Sequence, residues 1–208
     1  MKLRSVPLAF AAVGLVAVML VASNRANAAT RVPTTASERS PESAQRFVQA
    51  FYDWYSLITM KTSRDPGPPD RIVAIRMHPE WFAPPLSRAL QRDWAAQDKC
   101  LNYIVGLDWD PFLNSQDPNL GYQVGRPTKS SSGYKAPVFN RGANIDHPDQ
   151  PWVFAFVAFR AGHWEFTDFM PRAEPGVVQA TTMQSLALFR RDRIAKAAHP
   201  APGKPCRG

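Results

Sequence analysis

The sequence is short of glycine and cysteine and carries no long run of basic residues. It has 208 residues, with 11 glycines against 20 prolines and two cysteines. The prolines cluster outside the stretches with helical or strand periodicity, so we interpret them as residues that stiffen loops. We find no internal repeat, which excludes the repeat architectures. The composition is that of one globular domain with additional terminal segments.

The motifs that most directly indicate a reaction or a metal are also absent from the sequence. There is no His-x-x-x-His or Cys-x-x-Cys pair for zinc, no Gly-x-Ser-x-Gly elbow, and no cysteine beside a histidine. We therefore expect no metal and no other cofactor, and we do not expect an enzyme.

The basic residues are dispersed along the chain rather than gathered into one block. Lys2, Arg4 and Arg25 lie in a segment that we expect to be removed, and subtracting them from the formal net charge of +8 leaves +5. The densest basic stretch comes near the end of the chain: Arg190, Arg191, Arg193 and Lys196. Such a stretch is usually a solvated helix face. The charge suits an anionic cell envelope or an acidic protein partner, and we do not expect nucleic acid as a partner.

One hydrophobic run stands at the N-terminus. Residues 6–22 are almost wholly apolar, follow Lys2 and Arg4, and precede the small-x-small sequence Ala26-Asn27-Ala28. This order of features predicts a signal peptide over residues 1–28, cut between Ala28 and Ala29. The alternative is an uncleaved anchor, since the run is at the short end of what spans a bilayer. We expect a periplasmic or secreted protein with no stable membrane span after cleavage.

Export bears on whether the two cysteines form a disulfide. Cys100 and Cys206 are both in the expected mature chain, and an oxidising compartment favours a disulfide between them. The alternative is that Cys206, near the C-terminus, never meets Cys100. Both alternatives stay open at this point.

The mature chain begins with a polar linker, residues 29–40, and continues into a helical half. Ser40-Pro41-Glu42 is typical of a helix start: a capping serine, a proline at the first helical position and an acid near the positive end of the dipole. Apolar residues follow at helical spacing: Ala44, Phe47, Val48, Phe51, Trp54, Tyr55 and Ile58. A second helix is predicted from Pro85 to Lys99.

After residue 121 the pattern changes to the alternation of strands. Trp152 to Arg160 and His163 to Met170 predict two long strands joined by a tight turn, with Trp164, Phe166 and Asp168 on one face. Shorter alternating stretches predict strands around residues 122–124 and 134–138. Thr181 or Thr182 is expected to cap a last helix. Helices followed by an antiparallel sheet predict an α+β fold over residues 41–196, before a Pro-rich tail at 197–208.

Residues 107–118, which we call the central segment, lie between these halves. They contain three aspartates, but the spacing fails the calcium-loop pattern because Phe112 and Leu113 stand where a ligand and a glycine are required. We interpret the segment as a turn in which Asp110 is the cap and Phe112 and Leu113 point inward.

Three sequence patterns together resemble an exported bacterial family known as domain of unknown function 3828. They are Phe51-Tyr52-Asp53-Trp54-Tyr55, the Asp-x-Asp-Pro-Phe…Gln-Asp pattern from Asp108 to Asp117, and the Gly162-His163-Trp164 turn followed by Asp168. The resemblance covers residues 42–188. It implies a cone-shaped domain, nuclear-transport-factor-2-like or cystatin-like, in which a curved antiparallel sheet wraps a long N-terminal helix. It implies no catalytic residues.

For function, the residues favour binding over catalysis. Six Trp, 12 Phe and 5 Tyr exceed what a small core obviously needs, and some are expected to line a cleft or contact surface. The candidate binding residues are Tyr52, Tyr55, Gln116, Asp117 and Asp168. We expect a non-catalytic binding protein for a ligand or protein partner in the envelope, of which an inhibitor or immunity protein is one form. The alternative is a small hydrolase or isomerase that uses Tyr and Asp side chains for acid–base chemistry.

Overall fold

A computed structural model of the chain describes residues 36–62, 67–99, 104–116, 121–142, 147–173, 176 and 178–198. The expected signal peptide, most of the linker, Asp117, both cysteines and the tail beyond Ala198 lie outside the described residues. The structure therefore does not test the predictions made for those parts of the chain.

Four α-helices and two short 3-10 helices lie in the described part of the chain. The α-helices are α1 (Pro41–Thr62), α2 (Asp70–Met77), α3 (Pro84–Asp98) and α4 (Thr182–Ala198), and the 3-10 helices are Ala36–Arg39 and Pro79–Trp81. The predicted start of α1 is confirmed, because the Ser43 amide donates to Ser40 Oγ at 3.2 Å. None of the described helices combines the length and the apolar character that crossing a membrane requires.

Five strands in the described residues form one antiparallel sheet. They are β1 (Tyr122–Val124), β2 (Thr128–Ser130), β3 (Gly133–Asn140), β4 (Val153–Arg160) and β5 (His163–Pro171). The order is β1-β3-β4-β5, and β2 pairs with the same edge of β3 as β1, nearer the start of that strand. The α+β prediction is confirmed at this level. Sequence analysis missed β2 because its three residues show no buried position and hence no apolar alternation.

The turn between β4 and β5 is the tight connection that the sequence predicts. Its two central residues, Ala161 and Gly162, have φ of 50° and 89°. Two positive φ values in a two-residue loop match the twist of an antiparallel hairpin. Glycine adopts this backbone freely, whereas alanine does so at a steric cost.

The prediction that Asp168 shares a face with Phe166 is wrong. Phe166 pairs with Val157 and Asp168 pairs with Phe156, because the register shifts between those two β4 residues. Consecutive residues of a strand point to opposite faces, so the irregularity turns Asp168 away from the face of Phe166. Phe169, which is fully buried, takes the next inward position and packs its ring 5.0 Å from that of Phe166.

Aromatic side chains fill the space between α1 and the sheet. The Phe51 ring is stacked on Tyr55 at 5.1 Å and meets Phe82, Phe112 and Phe166 edge-on at 4.7 to 5.8 Å. All five side chains are at most 2% exposed. Much of the aromatic excess in the sequence is therefore used in the core, where such ring pairs add about 0.5–1.5 kcal/mol each beyond their buried area.

Candidate functional site

The central segment folds into the capped turn that the sequence predicts, as far as Gln116. Asp110 Oδ1 accepts hydrogen bonds from the amides of Phe112 at 2.8 Å and Leu113 at 3.3 Å. The Asp110 amide donates to the Ser115 carbonyl at 3.0 Å and closes the turn. Phe112 and Leu113 are buried, as expected.

Long-range hydrogen bonds hold this turn against α1 and the sheet. The Tyr52 hydroxyl donates to the Phe112 carbonyl at 2.7 Å, and Trp152 Nε1 donates to the Leu113 carbonyl at 2.7 Å. Asn114 Nδ2 donates to the Trp152 carbonyl at 3.4 Å. These bonds fix one side of the turn against α1 and against Trp152, the residue before β4. The other side of the turn lines an open cleft.

A tyrosine–aspartate pair links the turn to the middle of α1. The Tyr55 hydroxyl donates to Asp110 Oδ2 in a short hydrogen bond. Burial raises the pKa of Asp110 to about 6, although the hydrogen bonds from Tyr55 and from the Phe112 amide act in the opposite direction. Burial, followed by the charge of Asp110, raises the pKa of Tyr55 well above its ordinary value. At neutral pH Tyr55 therefore keeps its proton and Asp110 is mostly ionised.

In front of the pair lies a cleft of about 580 Å³ between the start of α2, the end of α3 and the central segment. We call it the acidic cleft. Its polar lining comes chiefly from Asp70, Arg71, Gln97, Asp108, Asp110 and Gln116. The described part of the lining holds three carboxylates and one guanidinium, in a protein whose formal net charge is +8.

Among the described residues of this lining Arg71 is the one cation, and it is 7% exposed. Its Nη2 donates to the Leu107 carbonyl at 3.1 Å, while its Nε has no hydrogen-bond partner among the described residues. The Trp109 indole N–H, in the same lining, is likewise without a partner in the described part of the chain. Buried donors are normally satisfied, so each of these two is a candidate to pair with an acceptor on a bound molecule.

A buried ion pair supports the rim of the cleft from behind. Asp93, 1% exposed, pairs with Arg193 Nη1 at 2.7 Å and accepts the Leu107 amide at 2.9 Å. Gly106 lies so close that a Cβ there would stand 2.7 Å from the Asp93 Cγ, so a larger residue would displace the Asp93 carboxylate. Sequence analysis missed this support. The available signal was an acid on the buried face of α3, seven residues after Leu86 and three after Leu90.

Two of the predicted binding residues meet at this site. Gln116 lines the acidic cleft and donates to the Asp108 carbonyl at 3.1 Å. Tyr55 lies behind the cleft and reaches it through Asp110. Asp117 follows directly in the chain but lies outside the described residues.

The other two predicted residues, Tyr52 and Asp168, lie elsewhere. Tyr52 is fully buried, and its hydroxyl donates a hydrogen bond to the Phe112 carbonyl inside the core. Asp168 Oδ1 accepts the amides of Phe169 at 2.8 Å and Met183 at 3.0 Å, so it caps the start of α4. Burial raises the pKa of Asp168 against these hydrogen bonds. Neither residue is among the described residues that line the acidic cleft.

Asp70 and Arg71 were not predicted from the sequence as site residues, and Asp110 was predicted only as a cap. The signal for Arg71 was a cation directly before the apolar residues that begin at Ile72. In the described residues no group of three or more His, Cys, Asp or Glu side chains is arranged to hold a metal ion. No family model, no curated protein and no solved structure matches this chain.

Proposed function

We propose that this chain is an exported, non-catalytic binding protein that holds a small amine-bearing ligand in the acidic cleft. The observation that carries the proposal is the concentration of Asp70, Asp108 and Asp110 in one cleft of a basic protein. A ligand ammonium group would be attracted by the three carboxylates. Asp110, ionised and partly desolvated, offers the strongest interaction because its charge is the least screened.

The ligand is also expected to carry a hydrogen-bond acceptor. Arg71 Nε and the Trp109 indole N–H are donors in the same lining that no described residue satisfies. A carboxylate or carbonyl beside the ammonium group would pair with them, as a few convergent polar groups do in ligand pockets. A zwitterion or an amino sugar combines these groups.

The filled interior supports binding over catalysis. In the cone-shaped domains that the sequence resembles, acid–base chemistry would need an open pocket between helix and sheet. Here Phe51, Phe112 and Phe166 occupy that space, and the hydroxyls of Tyr52 and Tyr55 are both engaged in internal hydrogen bonds.

The test compares two sugars that differ in charge. Glucosamine carries an ammonium group, and N-acetylglucosamine has the same ring without it. Titration calorimetry with the mature protein at pH 7 is expected to show binding of glucosamine alone. The affinity should fall from pH 7 to pH 5 as Asp110, whose pKa is about 6, takes up a proton.

Two variants make the result specific. Asp110→Asn keeps the side-chain shape and should abolish binding of glucosamine. Asp53→Asn removes an exposed carboxylate from α1 and should leave binding unchanged. Equal binding of both sugars, or full binding by a folded Asp110→Asn protein, would contradict the proposal.

A second candidate, a small hydrolase or isomerase, is favoured by one observation. Asp110 is a carboxylate with a pKa raised to about 6, it lines an open cleft, and it is hydrogen-bonded to Tyr55, which suits a general base. Incubation of the mature protein with small molecules from an envelope extract separates the two. If the wild-type protein consumes a compound and the Asp110→Asn protein does not, the function is catalysis and not binding.

We also propose that the chain acts in the periplasm or after secretion, where the amine-bearing ligand can belong to a protein partner. The signal-peptide pattern of residues 1–28 supports this location. A pull-down from envelope extract with tagged mature protein tests for an inhibitor or immunity role. If no partner is recovered and native mass spectrometry shows a retained small molecule, the inhibitor or immunity role is rejected and the small-ligand proposal remains.

Finally, we propose membership of the family known as domain of unknown function 3828, with a nuclear-transport-factor-2-like or cystatin-like cone. The three sequence patterns support the family, and the packing of α1 on one antiparallel sheet supports the cone. A crystal structure of the mature protein tests the second point. A sheet that does not curve around α1 would reject it.

A further inference from the structure

A second cleft, of about 710 Å³, lies between α3 and α4 and differs in character from the acidic cleft. Its floor is formed by small and aliphatic side chains: Ala89, Ala95, Ala96, Leu186, Ala187 and Ile194. Arg92 and Lys99 stand on the α3 side, and Arg190 and Arg191 on the α4 side. We call this the basic groove.

The charge of the basic groove is of one sign. Among the described residues no acidic side chain lines it, and Arg92, Arg190 and Arg191 form no ion pair. Arg193 also lines the groove, but its Nη1 is committed to Asp93 at 2.7 Å and to the Val105 carbonyl at 2.7 Å. Arg92, Arg190 and Arg191 therefore surround an apolar floor, and no described acidic residue of the groove neutralises their charge.

The apolar floor is open to solvent in part. Ile194 is 61% exposed, and Ala95 and Ala187 are exposed as well. Covering such a surface is favourable, and the alanines leave room for a chain to lie between the helices. The volume falls in the range of small-molecule sites, which run from about 300 to 1,000 Å³.

We propose that the basic groove binds a soluble anionic amphiphile with a single alkyl chain. The chain lies along the alanine and leucine floor, and its carboxylate, sulfate or phosphate head pairs with Arg92 and Arg190. Guanidinium groups suit such heads because they bind oxyanions through two parallel hydrogen bonds. This site shares no described lining residue with the acidic cleft and attracts the opposite charge, so each proposal can fail without the other.

The test uses three amphiphiles with the same 12-carbon chain and different heads. Laurate is anionic, dodecyl maltoside is uncharged and dodecyltrimethylammonium is cationic. Each is titrated below its micelle concentration into the full mature protein, and binding is followed by calorimetry. Laurate is expected to bind at least about ten-fold more tightly than the maltoside, and the cationic compound is expected not to bind.

Matched variants locate the site. Arg92→Glu reverses a rim charge, whereas Arg88→Glu reverses an exposed charge one turn earlier on α3, outside the groove. We expect laurate affinity to fall by about ten-fold or more in the first and to change by less than about two-fold in the second. Ala95→Phe should fill the floor and block the chain, whereas Ala50→Phe, on the exposed face of α1, should not.

Three outcomes would overturn the inference. Equal binding of all three amphiphiles would mean that the rim plays no part. Unchanged laurate binding by a folded Ala95→Phe protein would place the chain elsewhere. Binding to vesicles of anionic phospholipid, or to an acidic helical peptide, with no binding of free laurate, would assign the groove to a membrane or to a protein.

Discussion

The two carboxylate oxygens of Asp110 serve different parts of the molecule. Oδ1 caps the turn of the central segment, and Oδ2 accepts the hydroxyl of Tyr55 from the middle of α1. The capping role follows from local sequence, since an aspartate before a proline commonly starts a turn. The raised pKa follows from burial, which is a property of the folded molecule.

The raised pKa of Asp110 predicts a pH-dependent stability. Because the folded-state pKa is about 6 against an ordinary 3.8, the folded protein binds this proton more strongly than the unfolded chain does. The resulting stabilisation is complete below pH 3.8 and is lost as the pH rises through 6. The difference in unfolding free energy corresponds to roughly 3 kcal/mol at most. Urea denaturation between pH 4 and pH 7 measures it.

Asp110→Asn is the control for this prediction. The amide keeps an acceptor for the turn but cannot titrate, so most of the pH dependence should disappear. A smaller slope of the same sign is expected to remain from Asp168, whose pKa burial also raises. If wild type and Asp110→Asn show the same slope, Asp110 does not titrate as described.

At the scale of elements, the Asp93–Arg193 ion pair joins α3, α4 and residues 105–107. Arg193 on α4 reaches Asp93 on α3 and the carbonyl of Val105, and Asp93 accepts the Leu107 amide. Arg193 is 100 residues from Asp93 and 88 from Val105 in the sequence, so the pair fixes the end of the chain against α3 and the segment that follows it. The same pair stands behind the rim of the acidic cleft.

Arg193→Ala is expected to lower the free energy of unfolding by about 3 kcal/mol or more, because it leaves the charge of Asp93 buried without its partner. Arg190→Ala removes an exposed arginine from the same helix and should cost at most about 0.5 kcal/mol. Denaturant unfolding of both variants at pH 7 measures the difference. Similar losses in the two proteins would refute the role given to the pair.

The β4–β5 hairpin offers an element-scale gain in stability. Ala161 has a φ of 50°, which alanine adopts with strain, and it precedes Gly162 in a two-residue turn. Asparagine tolerates this backbone, and Asn-Gly is the preferred sequence for such turns. Ala161→Asn should raise the unfolding free energy by about 1 kcal/mol. Thermal unfolding measures it, and a lowered melting temperature would show that the turn is not strained at this residue.

At the scale of the whole molecule, positive net charge coexists with a cleft of the opposite sign. The acidic cleft and the basic groove share no lining residue among those that the structure describes, and Arg193 of the buried ion pair lines the groove. An amine and an anionic amphiphile are therefore expected to bind without competing. Export, if it occurs as predicted, would expose both sites to envelope components.

Intact mass measurement of exported protein tests the two predictions that concern the chain as a whole. We expect a mature chain that begins at Ala29, and a disulfide between Cys100 and Cys206 would reduce its mass by two hydrogens. A chain that retains residues 1–28 would contradict cleavage. Two titratable thiols in the unreduced protein would contradict the disulfide while leaving export untouched.

Local signals predicted the elements well where a few neighbouring residues decide the backbone. The Ser40 cap, the Ala161–Gly162 turn and the Asp110 turn are of this kind, and the structure has all three. The site was predicted only in part. Gln116 and Tyr55 were selected, but Arg71 was not, because its importance comes from meeting the central segment 36 residues later in the chain.

By itself, the sequence determined that helices come first, that an antiparallel sheet follows, and that the central segment is a capped turn. These depend on periodicity, capping and turn chemistry, which act over a few residues. The tertiary structure alone decided that Asp168 turns from the face of Phe166 to cap α4, that Asp93 pairs with Arg193, and that Asp110 is a buried acid facing a cleft. Those outcomes depend on strand register, burial and contacts between distant segments, so no local pattern of residues specifies them.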